Sequence, residues 1–194
     1  MAFKGFKRLF VRVLDGAGTP TLGTNMFVIE GKTGKGATRT AKLTGLSSDP
    51  VKSYGSNVAY HVSNRGVGDV KLDVTAIDLP REMLVKILGH KAKGKIISVG
   101  ADTEPPYCSV MLETSTPSGN VAYVGLYKGQ FSMDAEEFET LKDKQEELSD
   151  DILSFSAIAS DDTATEGEYY TYVVGPDESE LKTFKGALKM DAAG

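Results

Sequence analysis

Residues 121–131, VAYVGLYKGQF, read as a strand that is apolar on both faces, and no other stretch restricts the fold as much. Side chains in a strand alternate between faces, so a sheet with one wet side shows polar residues at every second position. Val121, Ala122, Tyr123, Val124, Leu126 and Tyr127 leave no side for water. The stretch before it, EPPYCSVMLETS, starts after two prolines and ends in the turn TPSGN. Its faces divide, with Cys108, Val110 and Leu112 on one and Tyr107, Ser109, Met111 and Glu113 on the other. Any fold that contains this pair must cover the second strand twice.

Strand signals dominate the rest, and the 21 glycines suit a chain rich in turns. RLFVRVL (8–14), NMFVIE (25–30), ATRTAKLTGL (37–46), GKIISVG (94–100), DDILSFSAIA and YYTYVV (169–174) read as strands, with FSMDAEEFETL continuing the strand at 121. In DVKLDVTAI, Val70, Leu72, Val74 and Ala76 oppose Lys71, Asp73 and Thr75, which gives one core face and one wet face. A short helix is expected over 78–88. Asp78 is its cap, Pro80 sits in its first turn, Met83, Leu84, Ile87 and Leu88 form its apolar side, and Gly89 stops it.

Residues 45–66 mix turn formers with Val51, Tyr54, Val58, Tyr60 and Val62, and read as a long loop or arm outside the core. From Ser160 the acidic SDDTATEGE, poor in apolar residues, predicts a mobile segment. DESELKTFKGALKM then predicts a C-terminal helix with Leu181, Phe184 and Leu188 on one face and its acids at the favourable end of the dipole. The expected organisation is a mostly β domain over 1–159 and an acidic extension over 160–194.

Composition and motifs argue against most chemistries. A net charge of -5 is opposite to the basic field of a nucleic-acid binder. Cys108 stands alone on an apolar face, as a buried thiol rather than a nucleophile, and fits synthesis in a reducing compartment. No run approaches the roughly 20 apolar residues of a membrane span, and the basic N-terminus lacks a signal-peptide core. GKTGKGAT has Ala37 where a phosphate loop needs Lys, and DGAGTPTLG has Thr21 where a dinucleotide loop needs its third Gly. His61 and His90 lie far apart, and Asp150, Asp151, Asp161 and Asp162 lack the spacing of a calcium loop. The neighbours Glu136 and Glu137 point apart, and no nucleophile elbow occurs. The expectation is a protein with no catalytic, metal or cofactor residues.

The middle of the chain resembles the major tail protein family of long-tailed bacteriophages. The resemblance is carried, in order, by DPVKSYGSNVAYHVSNRGVGDVKLDVTAIDLP, LVKILGHKAKG, GADTEPPYCSVMLETSTPSGNVAYVGLYKGQFSM and EELSDDILSFSAI. It implies a β-sandwich flanked by a helix. It also implies copies that close into six-membered rings, stacked into a hollow tube through which double-stranded DNA passes without specific binding. Implied partners are the chain itself and the tape-measure, tail-terminator and tail-tip proteins; the implied location is the virion tail, after assembly in the host cytoplasm.

Under that resemblance, either the helix 78–88 or a neighbouring subunit covers the second face of the strand at 121. The subunit-interface residues are then Val51, Tyr54, Val58, Tyr60, Tyr123 and Tyr127, and the loop 45–66 and N-terminal segment join rings. Six chains at -5 give a ring of about -30, although screening over ~8 Å leaves only bore-lining charges felt by DNA. The residues without the resemblance also allow a β-sandwich binding module for carbohydrate or protein, with Tyr107, Tyr123 and Tyr127 as exposed contacts.

Overall fold

The structure is a computed structural model that describes residues 2–16, 18–136, 140 and 149–191. Its strands are β1 (Lys4–Val13), β2 (Met26–Ile29), β3 (Ala37–Thr44), β4 (Val51–Gly55), β5 (Val58–Ser63), β6 (Lys71–Ile77), β7 (Lys91–Lys93), β8 (Ile96–Ser98), β9 (Cys108–Ser115), β10 (Val121–Ser132), β11 (Asp150–Ile158) and β12 (Tyr170–Val174). The helices are α1 (Arg81–Ile87) and α2 (Glu178–Ala187). The strand expected through 131–141 ends at Ser132, and the Glu136–Glu137 pair falls at the edge of the described residues.

Eight strands form one antiparallel sheet in the order β2-β1-β9-β10-β11-β6-β3, with β12 on β10 as a branch. The branch exists because β10 changes neighbours along its length. Val121–Leu126 pair with β9 on one side, and Ala122–Leu126 pair with β12 on the other. A register irregularity follows between Leu126 and Gly129, and Lys128–Ser132 pair with β11. A bulge of this kind bends a strand and raises its twist. The sheet thus folds over itself, and Thr38 Oγ1 donates to the Phe6 carbonyl at 2.8 Å where β3 comes back to β1.

The interior holds Leu9 and Val11 of β1, Val110 of β9, Leu126 of β10, and Leu72, Val74, Leu153 and Phe155 of the opposing layer. Gly129 makes the crossing possible, since a Cβ there would lie 2.3 Å from the Ser156 carbonyl and 2.6 Å from the Phe155 ring. Helix α1 closes one end of this core with Met83 and Ile87. It is shorter than the expected 78–88. Asp78 does not cap it: the residue takes a left-handed φ of 53, Pro80 is the N-cap, and no side-chain cap bond forms. The neighbouring Leu79 N–H donates instead to Asp151 at 2.9 Å.

The second face of β1, β9 and β10 is covered by α2, the C-terminal helix of the same chain, and not by α1 or another subunit. Phe184, Leu188 and Met190 pack with Phe10, Met111, Tyr123 and Tyr127 in a separate buried cluster. Burial of three such side chains contributes roughly 5–8 kcal/mol before ordering costs. Asp177 starts the helix through a capping box, accepting from Glu180 N–H at 2.8 Å while Glu180 accepts from Asp177 N–H at 3.0 Å. Gly125 lets the helix sit close, because a Cβ there would meet Leu188 at 2.5 Å.

Arg12 fixes the far end of α2. It is 1% exposed, and its guanidinium donates to the carbonyls of Lys189 (3.2 Å), Asn25 (3.2 Å) and Gly18 (2.5 Å). Burial works against its charge and lowers its pKa. Ser109 Oγ donates to the Leu188 carbonyl at 2.6 Å beside it. The acidic segment from Ser160 carries internal hydrogen bonds. Ser160 N–H donates to Glu168, Gly167 N–H donates back to Ser160, and the Ser160 and Thr165 hydroxyls are bonded and buried. Beyond it, β12 pairs with β10 and α2 packs on the same sheet.

Two outcomes follow from this packing. Arg12→Met keeps the bulk but strands three carbonyls, so it should cost about 2–4 kcal/mol in urea unfolding. Burial pushes the Cys108 thiol up to about 12, so native protein should resist maleimide at pH 8 and react on unfolding. The native state keeps a proton that the unfolded chain releases near the ordinary value of 9.0. Through this group stability should therefore fall as pH rises from 9 towards 12.

Candidate functional site

With both faces of the β9–β10 layer covered, the exposed apolar groups gather elsewhere. Residues 45–66 are not an irregular loop: they carry the antiparallel hairpin β4–β5. Ser56 and Asn57 join its strands with φ values of 52 and 65, the left-handed pair required by a two-residue hairpin turn that matches strand twist. The signal for this turn was present in YGSNV, an Asn at a turn position between alternating strands. It was hidden because neither strand packs on anything.

Every residue of β4 and β5 is exposed. Tyr60 is 85% accessible and Tyr54 72%, with Val51, Val58 and Val62 above half. The register slips between Ser53 and Tyr54, so Tyr54 pairs with Ala59 and Tyr60 is the extra residue beside it. That bulge places Tyr60 next to the Tyr54–Ala59 pair in the ladder, near the tip.

The root of the hairpin is tightly specified. Gly45 and Gly68 cross with Gly68 N–H donating to the Gly45 carbonyl at 2.9 Å. Gly45 has a φ of 72, and a Cβ there would sit 2.0 Å from the Asp69 carbonyl. Only glycine fits both the conformation and the approach. Ser48 Oγ ties the two strands' ends by donating to the Arg65 carbonyl at 2.9 Å.

Of the six residues expected at an interface, Val51, Tyr54, Val58 and Tyr60 share this hairpin. Tyr123 and Tyr127 do not join them: they are 8% and 7% exposed beneath α2. Desolvation raises both phenol pKa values. Neither ring is available as a contact of a binding module, and Tyr107 is half-buried with the Lys128 ammonium 4.6 Å from its ring centre. Sequence reasoning missed the buried Arg12 and the pair of Arg8 with Glu113, whose side chain is 3% exposed. Both lie on the α2 face of the sheet, at positions where alternation alone predicts a wet side.

His61 lies on the hairpin and His90 beyond α1. Among the described residues, no group of three or more His, Cys, Asp or Glu side chains is arranged to hold a metal ion. No helix among them is long and apolar enough to cross a membrane.

A search of curated proteins returned no match. The family model for the phage tail tube protein matches residues 1–186, which takes in the hairpin, the folded sheet and almost all of α2. The match also covers residues 160–186 of the C-terminal extension, and the chain belongs to the phage tail tube protein family.

Proposed function

We propose that this structural protein of the phage tail closes into hexameric rings with copies of itself, and that the rings stack into the conduit for DNA ejection. The observation that carries the reading is the contrast between a body sealed on both sides of its β9–β10 layer and a rooted hairpin with no cover. An exposed strand pair with five large apolar side chains is an association surface. The ends of the strand order at β2 and β3, and the branch strand β12, give neighbouring subunits in a ring further places to join. The hairpin and the N-terminal segment serve as the contacts between rings. Assembly takes place in the host cytoplasm, with the tape-measure, tail-terminator and tail-tip proteins as partners.

The bore is assigned to the outer face of β10–β11–β6–β3. This face has no helix over it and is rich in hydroxyls. Thr40, Ser132 and Ser156 are exposed on it beside Lys71 and Ile152, Lys42 stands opposite Asp73, and Ser154 donates to Asp73 at 2.8 Å. The ammonium groups of this face are each offset by a carboxylate, Lys42 by Asp73, Lys71 by Asp69 and Lys128 by Asp161, which weakens their hold on passing phosphates. The rest of the acidic excess is left to other surfaces.

Negative-stain microscopy of the concentrated chain, with and without a tail-tip seed, tests the reading. Wild-type protein should form tubes. Deletion of Ser53–Tyr60 should leave the β circular dichroism spectrum intact and abolish them, and tubes of wild-type length from the deletion would reject the assignment. Gly45→Ala should keep the core, lose about 1–3 kcal/mol from strain at the root, and shorten or abolish tubes by misdirecting the hairpin.

A further inference from the structure

Helix α2 sits on the sheet as a hinged lid does, one end tied to a strand and the other clasped by side chains. Its N-terminal end follows β12 through Gly175 and Pro176. Gly175 has a φ of 59, in the left-handed region that glycine adopts freely, and its N–H donates to the Val121 carbonyl at 2.7 Å. The C-terminal end closes with paired bonds, from Lys189 N–H to the Gly186 carbonyl (2.9 Å) and from Met190 N–H to the Lys185 carbonyl (2.8 Å). Lys189 itself takes a φ of 57, at the position where a helix end of this kind usually carries glycine.

A lysine in that conformation is strained, and its surroundings must offset the strain. Contacts from outside the helix do so. Arg12 of β1 donates to the Lys189 carbonyl at 3.2 Å, and the Lys189 ammonium lies 2.8 Å from the Asp162 carboxylate. The loop between β11 and β12 sets Asp162 in turn. Its carboxylate accepts from Ala164 N–H at 3.1 Å, and its own N–H donates to the Ser160 hydroxyl at 3.2 Å. Next to it, Asp161 pairs with Lys128 of β10 at 2.6 Å, which anchors the same loop to the sheet. The hydrogen bonds from Lys128 and Lys189 hold the carboxyls of Asp161 and Asp162 below the ordinary aspartate range.

We propose that Asp162 and Lys189 form a latch by which the loop 160–168 holds α2 shut over β1, β9 and β10, and that the lid opens from this latched end. Phe10, Met111, Tyr123 and Tyr127 lie beneath it, so a chain with an open lid offers its neighbours an apolar sheet face. Glycine at position 189 would end the helix without strain but would bring no ammonium group to Asp162. The lysine gives up local ease for a bond to the loop, and the seating of α2 then depends on a segment that leads directly into β12. The inference concerns the single chain and stands apart from the hexameric reading.

Amide exchange on the free, full-length chain tests the latch, because a helix this short frays once it leaves its sheet. Asp162→Asn keeps an oxygen to accept from Ala164 and removes only the ion pair. In low salt it should speed exchange at Leu188 and Met190 by about two- to five-fold, the range for an exposed pair. The effect should be smaller at Leu181, near the hinge, and absent at Val110 of β9. High salt should bring the wild-type rates up to those of the variant. In a Lys189→Gly chain, adding Asp162→Asn should change nothing further at these amides. Equal rates in wild type and Asp162→Asn would overturn the latch. So would an undiminished effect of Asp162→Asn when position 189 is glycine, since the loop would then act without the ammonium group. An increase centred on Leu181 would reject opening from the latched end, and an equal increase at Val110 would show loss of the whole fold rather than movement of a lid.

Discussion

The seating of α2 on the outer face of β1, β9 and β10 is the contact on which the rest of the architecture depends. That face is apolar at its centre, with Phe10, Met111, Tyr123 and Tyr127, and polar at its two ends. At one end Arg8 pairs with the buried Glu113, and at the other Arg12 gathers three carbonyls, including that of Lys189 just beyond the helix. A helix laid across such a face is held by apolar burial along its length and by directional bonds at its end. The sheet beneath can then afford a strand with no wet side.

This closure decides what is left for association. A β layer with one face bare would pair with any similar surface, which is the ordinary hazard of sheet proteins. With α2 in place the densest group of exposed apolar side chains is on β4–β5, rooted where Gly45 and Gly68 cross, while Leu22, Ile152, Ile158 and Tyr172 are exposed singly on the body. Association through a rooted projection is directional, and directional contacts between unlike ends can build an extended assembly rather than an aggregate.

Much of the body was legible from periodicity. Cys108, Val110 and Leu112 lie in one buried cluster and Met111, on the other face, in the second. The amphipathic face of Leu181, Phe184 and Leu188 correctly marked α2. Periodicity could say that β10 needed two covers but not which element supplied the second, because a helix 50 residues downstream leaves no local trace of its docking site. Asp78 looked like a cap because its neighbours did, yet the chain path into α1 put it in a left-handed conformation. The buried Arg12 was invisible because its partners are backbone carbonyls, which every residue carries. The hairpin was read as an arm on the right grounds, exposure and turn residues, but its strands pair only with each other and so lacked a core-facing signature.

The central claim is that the body is complete within one chain and that copies meet through its projections. Hydrogen–deuterium exchange on free chains and on assembled tubes compares the two states directly. The account predicts that assembly slows exchange in 51–63, while amides of α2 and β9 are equally protected in both states. Protection that is weak in α2 and β9 of the free chain and appears only on assembly, with 51–63 unchanged, would contradict it.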